Sequence, residues 1–265
     1  MPAWLAAMGW LVAHDVWPTW TALDPPPVRI SHRSGSNESR AQFTITGQLG
    51  KVGTVWTTYR INETAIRRED LIWIERLPVE IVPLRVTVSS DYTAAGVLDE
   101  FTLRLETEEA DLLLHGERFP SDFSFTFESG PIEKAFKVPL SSGGLFTGPF
   151  NPFSELGNLQ VGTKWRMQVV NPVALLTGMG NRFIPLLVEV TGEERIATSQ
   201  GTTNCMVVES PSAKAWVDAE GRVQVQEVTL PLIGPLRIAR EAGFDEEQWV
   251  QMRRESLGGR RARQR

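Results

Sequence analysis

The sequence predicts a mainly β protein made of two related, antiparallel, open half-barrel modules with few helices. Apolar and polar residues alternate through much of residues 41–140, for example in Phe101–Leu105 and Phe123–Phe127. This period of two is typical of strands that bury one face and leave the other in water. The pattern Val-Gly-Thr-x-Trp occurs at Val52–Trp56 and, 109 residues later, at Val161–Trp165. The repeat indicates that two modules begin alike.

The N-terminal residues 1–24 are predicted to form a membrane-proximal apolar segment or anchor. Pro2–Ala13 is an unbroken apolar run of twelve residues, and no Lys or Arg precedes it. A full membrane span needs about 20 apolar residues, and a signal peptide needs a basic start. Three interpretations stay open: the end of a longer anchor, a weak anchor with Trp17 and Trp20 at the membrane interface, and a buried helix.

A change of composition follows the apolar segment. Three prolines, Pro25–Pro27, form a stiff spacer, and Ser31–Arg40 is polar and rich in turn-forming residues. A spacer directly after an apolar segment favours an anchor that holds a domain off a membrane. The predicted divisions are a linker over 25–40, a first β module over 41–140, a connector over 141–158, a second β module over 159–242, a helix over 243–258 and a basic tail over 259–265.

The C-terminal helix has recognisable start and stop signals. Asp245 is a predicted N-cap and Gln248 stands where a capping box needs it. Phe244 and Trp249 have the spacing of a hydrophobic staple. The two glycines at 258–259 predict the end of the helix.

Composition and charge narrow the classes of function. The net charge is −5, although the segment 253–265 holds six arginines and one glutamate. An acidic body lacks the basic face of a nucleic-acid-binding protein, so no nucleic-acid partner is predicted. The basic tail is interpreted as solvated, with contact to phosphates or anionic lipid as the alternative. Cys205 is the single cysteine, which excludes an intrachain disulfide and is best interpreted as a small buried hydrophobe.

Residues for catalysis or metal binding are not grouped in the sequence. The three histidines, His14, His32 and His115, are far apart, so no helix face carries a pair of metal ligands. Carboxylates cluster at Glu106–Asp111 and Glu189–Glu194, where solvated strand ends are the simpler interpretation. The glycine-rich stretches lack the context of a phosphate-binding loop. No catalytic residue, metal ligand or cofactor is therefore predicted.

Aromatic content is high: nine Trp and twelve Phe against two Tyr. A large curved sheet needs bulky core residues, and core is the default interpretation. The alternative is that a concave apolar face stays open and holds a lipid or acyl chain. The candidate ligand-binding residues are then Trp56, Phe123, Phe125, Phe127, Trp165 and Trp216, and an open apolar cavity should border them.

The second half of the sequence carries several short motifs in a fixed order. They are Leu159–Trp165, Val188–Gly192, Cys205–Glu209 and Ala215–Val223, within the range Leu159–Arg240. In this order they resemble bacterial half-barrel domains of the lipoprotein-carrier type and similar envelope domains associated with transglutaminase-like proteins. The resemblance implies an exported, membrane-proximal β domain that holds an acyl chain or a partner. It brings no catalytic residues, because the cysteine has no companion histidine.

Three hypotheses about function follow from the sequence. The first is a non-enzymatic, membrane-tethered protein of the bacterial cell envelope, facing the periplasm or exterior, that binds a lipid, a lipoprotein or another envelope protein. The second is a structural or scaffolding module that presents its sheets to a protein partner and binds no small ligand. The third is a hydrolase, which would need two convergent titratable groups in one cleft.

Overall fold

The computed structural model describes residues 38–75, 83–94, 96–107, 111–139, 146–147, 156–157, 159–170, 183–230 and 234–263. Fifteen strands and one helix lie in this part of the chain. The strands are β1 (Glu38–Gly47), β2 (Gly50–Ile61), β3 (Ala65–Ile74), β4 (Leu84–Thr93), β5 (Leu98–Glu106), β6 (Asp111–Arg118), β7 (Asp122–Ser129), β8 (Ile132–Pro139), β9 (Phe146–Thr147), β10 (Lys164–Val170), β11 (Phe183–Thr198), β12 (Gly201–Ser210), β13 (Ala213–Val217), β14 (Val223–Leu230) and β15 (Gly234–Arg240). The helix, α1, is Glu246–Arg263.

All fifteen strands belong to one open sheet. Its order is β8-β7-β6-β5-β4-β3-β2-β1-β15-β14-β13-β12-β11-β10-β9, and neighbours are antiparallel except for β9 with β10. The predicted mainly β fold with a helix near the C-terminus is confirmed. The sheet also joins the two predicted modules, because β1 pairs directly with β15, with Ile45 opposite Ile238.

One face of the sheet, here called the inner face, carries the hydrophobic core. Alternate residues of each strand point to it, as in β7, where Phe123, Phe125 and Phe127 are buried and the residues between them are half-buried. Residues from both halves of the chain join in one cluster, which includes Phe123 and Trp165. The two halves therefore share a single core, and burying its apolar side chains is the main force that stabilises the sheet.

The two copies of the repeated pattern occupy different places in their strands. Val52–Trp56 lies within β2, beside a β-bulge, and a Cβ on Gly53 would lie 2.2 Å from the carbonyl oxygen of Trp73. Gly162 has a φ of 85° in the turn before β10. The first glycine is thus required by close backbone approach and the second by a left-handed conformation. The tryptophan that ends each copy is fully buried.

A hairpin joins β13 to β14, and Asp218 organises its turn. Its buried carboxylate accepts hydrogen bonds from two backbone N–H groups of the turn and from the side chains of Arg222 and Gln224. Gly221 has a φ of 82°, and a Cβ there would lie 2.6 Å from the carbonyl oxygen of Leu156. Leu156 donates its N–H to Gly221 and belongs to the core, so this turn attaches part of the predicted connector to the sheet.

Helix α1 begins as the sequence predicts. Asp245 accepts a hydrogen bond from the N–H of Gln248 at 2.9 Å, and the rings of Phe244 and Trp249 lie 6.0 Å apart. The N–H of Asp245 donates to Gln42 of β1 at 2.8 Å, where a capping box would have used Gln248. The helix continues through the glycines at 258–259, where the sequence predicted its end.

The predicted membrane-proximal segment, residues 1–24, lies outside the described residues, as does nearly all of the linker over 25–40. Within the described residues, no helix has the length and apolar character that a membrane span requires.

Candidate functional site

A short segment after β15 attaches α1 to the outer face of the sheet, the face opposite the core. Gln42 of β1 donates its side-chain N–H to the carboxylate of Glu241 and accepts the backbone N–H of Asp245, both at 2.8 Å. The guanidinium carbon of Arg40 lies 5.5 Å from the centre of the Trp249 ring. Polar contacts at the start of the helix thus fix its first turn over β1.

Beyond this attachment, α1 borders a groove on the outer face of β3–β6. One row of residues crosses these four strands directly: Leu71, Thr87, Arg104 and Leu113 stand opposite one another in turn. The groove has a volume of about 190 Å³. The lining residues are Glu69, Asp70, Leu71, Thr87, Ser89, Thr102, Arg104, Glu106, Leu113, Trp249 and Arg253.

The charges at the rim of the groove are paired. Arg253 of α1 lies 3.1 Å from the carboxylate of Glu69. Arg104 pairs with Glu106 at 3.3 Å, and its Nε donates to Asp111 at 3.0 Å. The hydrogen bond to Asp111 raises the pKa of Arg104, although partial burial acts in the opposite direction. Arg104 is thus held firmly in place, whereas a partly exposed pair such as Arg253–Glu69 contributes only about 0–1 kcal/mol and can exchange partners.

A buried polar cluster lies on the inner face of β2–β4. Arg68 pairs with Asp70 at 2.8 Å, and Asp70 also accepts a hydrogen bond from Thr57 at 2.6 Å. Burial alone would lower the pKa of Arg68, but the charge of Asp70 raises it. Burial raises the pKa of Tyr92, which lies beside Arg68. This cluster was not predicted from the sequence. A usable signal was present, because two charged residues of β3 share the period-two positions of Ile66 and Ile72.

The six predicted ligand-binding residues do not meet in one place. Trp165, Phe123, Phe125 and Phe127 are buried on the inner face, within the core. Trp56 lies on the outer face, directly opposite Gln42 and Leu71, and is also buried. None of the six lines the groove beside α1 or a second depression at one end of the sheet. Ligand binding by these residues stays a prediction.

Trp216, the last of the six, lies in a small apolar cluster on the outer face with Cys205, Val207 and Val225. Its indole N–H donates to the carboxylate of Glu194 at 2.6 Å. The ammonium nitrogen of Lys214 lies 4.8 Å from the centre of the ring, a distance that favours a cation–π contact. The register of β11 with β12 shifts at a β-bulge near Thr191, and beyond the bulge Glu194 stands opposite Cys205 on the outer face.

A second depression, about 660 Å³, lies at one end of the sheet. It is bordered by the β1–β2 and β12–β13 turns, and its lysine and arginine are paired: Lys214 with Glu209 at 3.0 Å and Arg237 with Glu227 at 2.5 Å. Ligand pockets are usually concave and mainly apolar, which favours the groove beside α1 over this more polar depression.

Five titratable groups of the described residues have pKa values that are raised above their ordinary range. The pKa values of Arg67, Arg68 and Arg104 are raised, so these side chains stay charged. Burial raises the pKa of Tyr92, and it raises the pKa of Cys205 to about 11, so both stay protonated. A catalytic acid or base works best with a pKa near the operating pH, and these shifts lead away from it. Within the described ranges, no three His, Cys, Asp or Glu residues are grouped as a metal site would require.

The fold and the site together define a mainly β protein with one open sheet and a helix-bordered groove on its outer face. No model of a protein family matches the sequence, and no curated protein matches it. One similar solved structure is a beta-barrel-like protein of the domain of unknown function DUF1849 from Brucella abortus, with 8% identity, a TM-score of 0.46, and coverage of 82% of this chain and 97% of that one. Another is a DUF1089 family protein from Pseudomonas aeruginosa, with 14% identity, a TM-score of 0.39, and coverage of 77% and 95%.

Proposed function

We propose that the chain is a non-enzymatic binding protein of the bacterial cell envelope, tethered through its N-terminal segment, that holds an acyl chain of a lipid or lipoprotein. The observation that carries the proposal is the groove between α1 and the outer face of β3–β6. Its walls come from two separate parts of the chain, the meander and the C-terminal helix.

The chemistry of the groove suits an amphipathic ligand. Leu71 and Leu113 on the sheet and Trp249 on the helix supply apolar surface. The volume of about 190 Å³ is below the roughly 300–1,000 Å³ of pockets that enclose a drug-sized ligand. The groove therefore suits one short apolar stretch, such as part of an acyl chain, with the rest of the molecule outside.

Arg253 supplies the polar end of the proposed site. Its pair with Glu69 is partly exposed, so an anionic headgroup can compete with Glu69 for the guanidinium, whose carbon also lies 5.1 Å from the centre of the Trp249 ring. An arginine offers several N–H donors in a fixed fork, a geometry that matches a phosphate or carboxylate. The proposal thus places the acyl chain on Leu71 and Leu113 and the anionic group near Arg253.

A second candidate function is a scaffolding module that binds a protein partner. The small volume of the groove favours this alternative as well, because it matches a single apolar side chain of a partner. The two candidates differ in what accompanies the protein when it is purified gently from its own membranes. Mass spectrometry of that preparation would detect a bound lipid in the first case and a partner protein without lipid in the second.

A quenching experiment tests acyl-chain binding at the groove. A fatty acid brominated along its chain should quench part of the tryptophan fluorescence of the full chain, and Trp249→Phe should remove most of that quenching. Leu113→Glu should weaken binding of the probe at least tenfold, because it places a charge on the apolar surface of the groove. The matched control is Thr126→Glu on the same outer face, outside the groove, which should bind the probe normally.

Two results would contradict the lipid proposal. One is the absence of saturable quenching by the brominated fatty acid. The other is quenching that Leu113→Glu and Trp249→Phe leave unchanged, since the probe would then bind elsewhere. Circular dichroism of each variant, compared with the parent chain, would establish that the substitutions leave the sheet folded.

A further inference from the structure

Strand β8 forms one edge of the sheet. Among the described strands it pairs only with β7, through a ladder that runs from Asp122 opposite Pro139 to Ser129 opposite Ile132. The side chains of Ile132–Ala135 are exposed, and Ile132 itself is 50% exposed. An edge strand of this length presents a row of backbone donors and acceptors that another strand can use.

We propose that β8 pairs in antiparallel fashion with β8 of a second copy of the chain, about a two-fold axis at Ala135. This inference concerns self-association, and it does not depend on the proposed function. The interface is isologous, since the same strand is used by both copies. It extends the sheet of one copy directly into the sheet of the other.

The positions of two prolines determine the extent of the pairing. Pro131 and Pro139 stand at equal distances from Ala135 and bracket the segment 132–138. Proline has no N–H for a sheet ladder, so it is tolerated only at the margins. Pairing centred on Ala135 places both prolines outside the seven paired residues, whereas a shift of the centre toward the C-terminus brings Pro139 into the ladder.

Charge complementarity selects the same register. With Ala135 at the centre, Glu133 of each copy stands opposite Lys137 of the other, on the outer face. Opposite charges in directly facing positions stabilise an antiparallel pair. A shift of the centre to Lys134 would place the two copies of that lysine against each other. A centre that lies between two residues would pair inward with outward positions, which the alternation of the strand forbids.

The inner face of the same pairing is also complementary. Lys134 of one copy stands opposite Phe136 of the other, within reach of a cation–π contact. Phe136 is already fixed by its own copy, where its ring stacks on Phe125 with 5.3 Å between centroids. The ladder adds backbone hydrogen bonds over a small area, so we expect dissociation constants in the micromolar range, on the order of 1–100 μM.

Lysines on an edge strand often act as a barrier to pairing. In β8, however, each outward charge of one copy finds an opposite charge on the other when the centre is Ala135. A barrier of lysines alone would repel a second copy in every register. The presence of Glu133 four residues before Lys137 makes the edge self-complementary.

Engineered cysteines test the register in the full chain. Facing residues of an antiparallel pair have Cβ atoms about 4.5–5.5 Å apart, close enough for a disulfide after slight adjustment. Ala135→Cys should therefore form a disulfide-linked dimer under mild oxidation. Glu133→Cys should not link to itself, because the two positions would lie roughly 13 Å apart along the strands. A mixture of Glu133→Cys and Lys137→Cys should give the mixed dimer.

Charge reversal tests the energetics independently of any cross-link. Sedimentation velocity should show that Glu133→Lys and Lys137→Glu each weaken dimerisation about tenfold or more, since each turns two attractive pairs into repulsive ones. The double variant, Glu133→Lys with Lys137→Glu, should restore it. A parent chain that stays monomeric at 200 μM, a cross-link of Glu133→Cys as efficient as that of Ala135→Cys, or a double variant no better than the singles would each overturn the proposal.

Discussion

Individual residues show why short sequence patterns can have different causes. The two Val-Gly-Thr-x-Trp copies share one residue pattern, but their glycines are required for different reasons. Gly53 is required because a Cβ would lie 2.2 Å from a backbone carbonyl oxygen. Gly162 is required by its φ of 85°. Sequence reasoning could predict a buried tryptophan in each copy from the alternation around it. The face of the sheet on which Trp56 lies could not be predicted, because a nearby bulge shifts which residues of β2 point inward.

Gly53→Ala should be strongly destabilising. The new methyl group would overlap the carbonyl oxygen of Trp73, and neighbouring strands cannot move apart without breaking their ladder. We expect a loss of about 3 kcal/mol or more in the free energy of unfolding, measured by denaturant titration. Gly192→Ala is the matched control, since a Cβ there has nothing within 4 Å, and it should change the value by less than about 1 kcal/mol. Equal stabilities of the two variants would contradict the account.

The buried thiol of Cys205 should make stability depend on alkaline pH. Burial, together with the charge of Asp218, raises its pKa to about 11. An unfolded cysteine has a pKa of about 8.5, so the folded state holds this proton more tightly. The resulting stabilisation is complete below about pH 8.5 and is lost as the pH rises toward 11. Melting temperatures across pH 7–11 should fall more steeply for the parent chain than for Cys205→Ala, and parallel curves would exclude the effect.

At the scale of elements, helix α1 depends on a strand that is distant in sequence. The capping signals at Asp245 were visible in the sequence, and its hydrogen bond to Gln248 confirms them. The role of Gln42 as acceptor for the N–H of Asp245 was not visible, because the two residues are 203 positions apart. The glycines at 258–259 predicted an end, yet glycine in a helix costs only about 1 kcal/mol, which neighbouring turns can offset.

Gln42→Ala should loosen the attachment of α1. The substitution removes an acceptor from the N–H of Asp245 and a donor to Glu241. We expect the local free energy of unfolding to fall by about 1–3 kcal/mol, so hydrogen exchange should become faster in the first turn of the helix. Thr46→Ala on the same strand removes only an exposed hydrogen bond to the carbonyl of Arg237, and it should leave that exchange unchanged. Protection of the first turn that survives Gln42→Ala would contradict the role assigned to Gln42.

Strand β3 illustrates the limits of periodicity in another way. Its inward positions carry Arg68 and Asp70 between apolar residues, so a simple apolar–polar count understates the burial of this strand. A charged pair of this kind is buried only when each charge has a partner. Here Arg68 pairs with Asp70, and Asp70 also accepts a hydrogen bond from Thr57. Recognition of partners requires the register of β2 with β3, which the sequence does not contain.

At the scale of the whole molecule, alternation and turn signals predicted most strands and the mainly β class. They did not predict that the first and last strands pair, because local patterns carry no information about contacts between distant segments. This β1–β15 seam makes one sheet out of two meanders. The seam also directs the chain after β15 across β1, so the groove beside α1 depends on it.

A disulfide across the seam is the most direct test of the single sheet. Thr44 stands directly opposite Ala239, and both point to the outer face. In a chain with Cys205→Ala, the variant Thr44→Cys with Ala239→Cys should form an intramolecular disulfide nearly completely on mild oxidation, as seen by mass spectrometry. Two free thiols, or disulfides only between molecules, would contradict the pairing of β1 with β15 and the shared sheet that it creates.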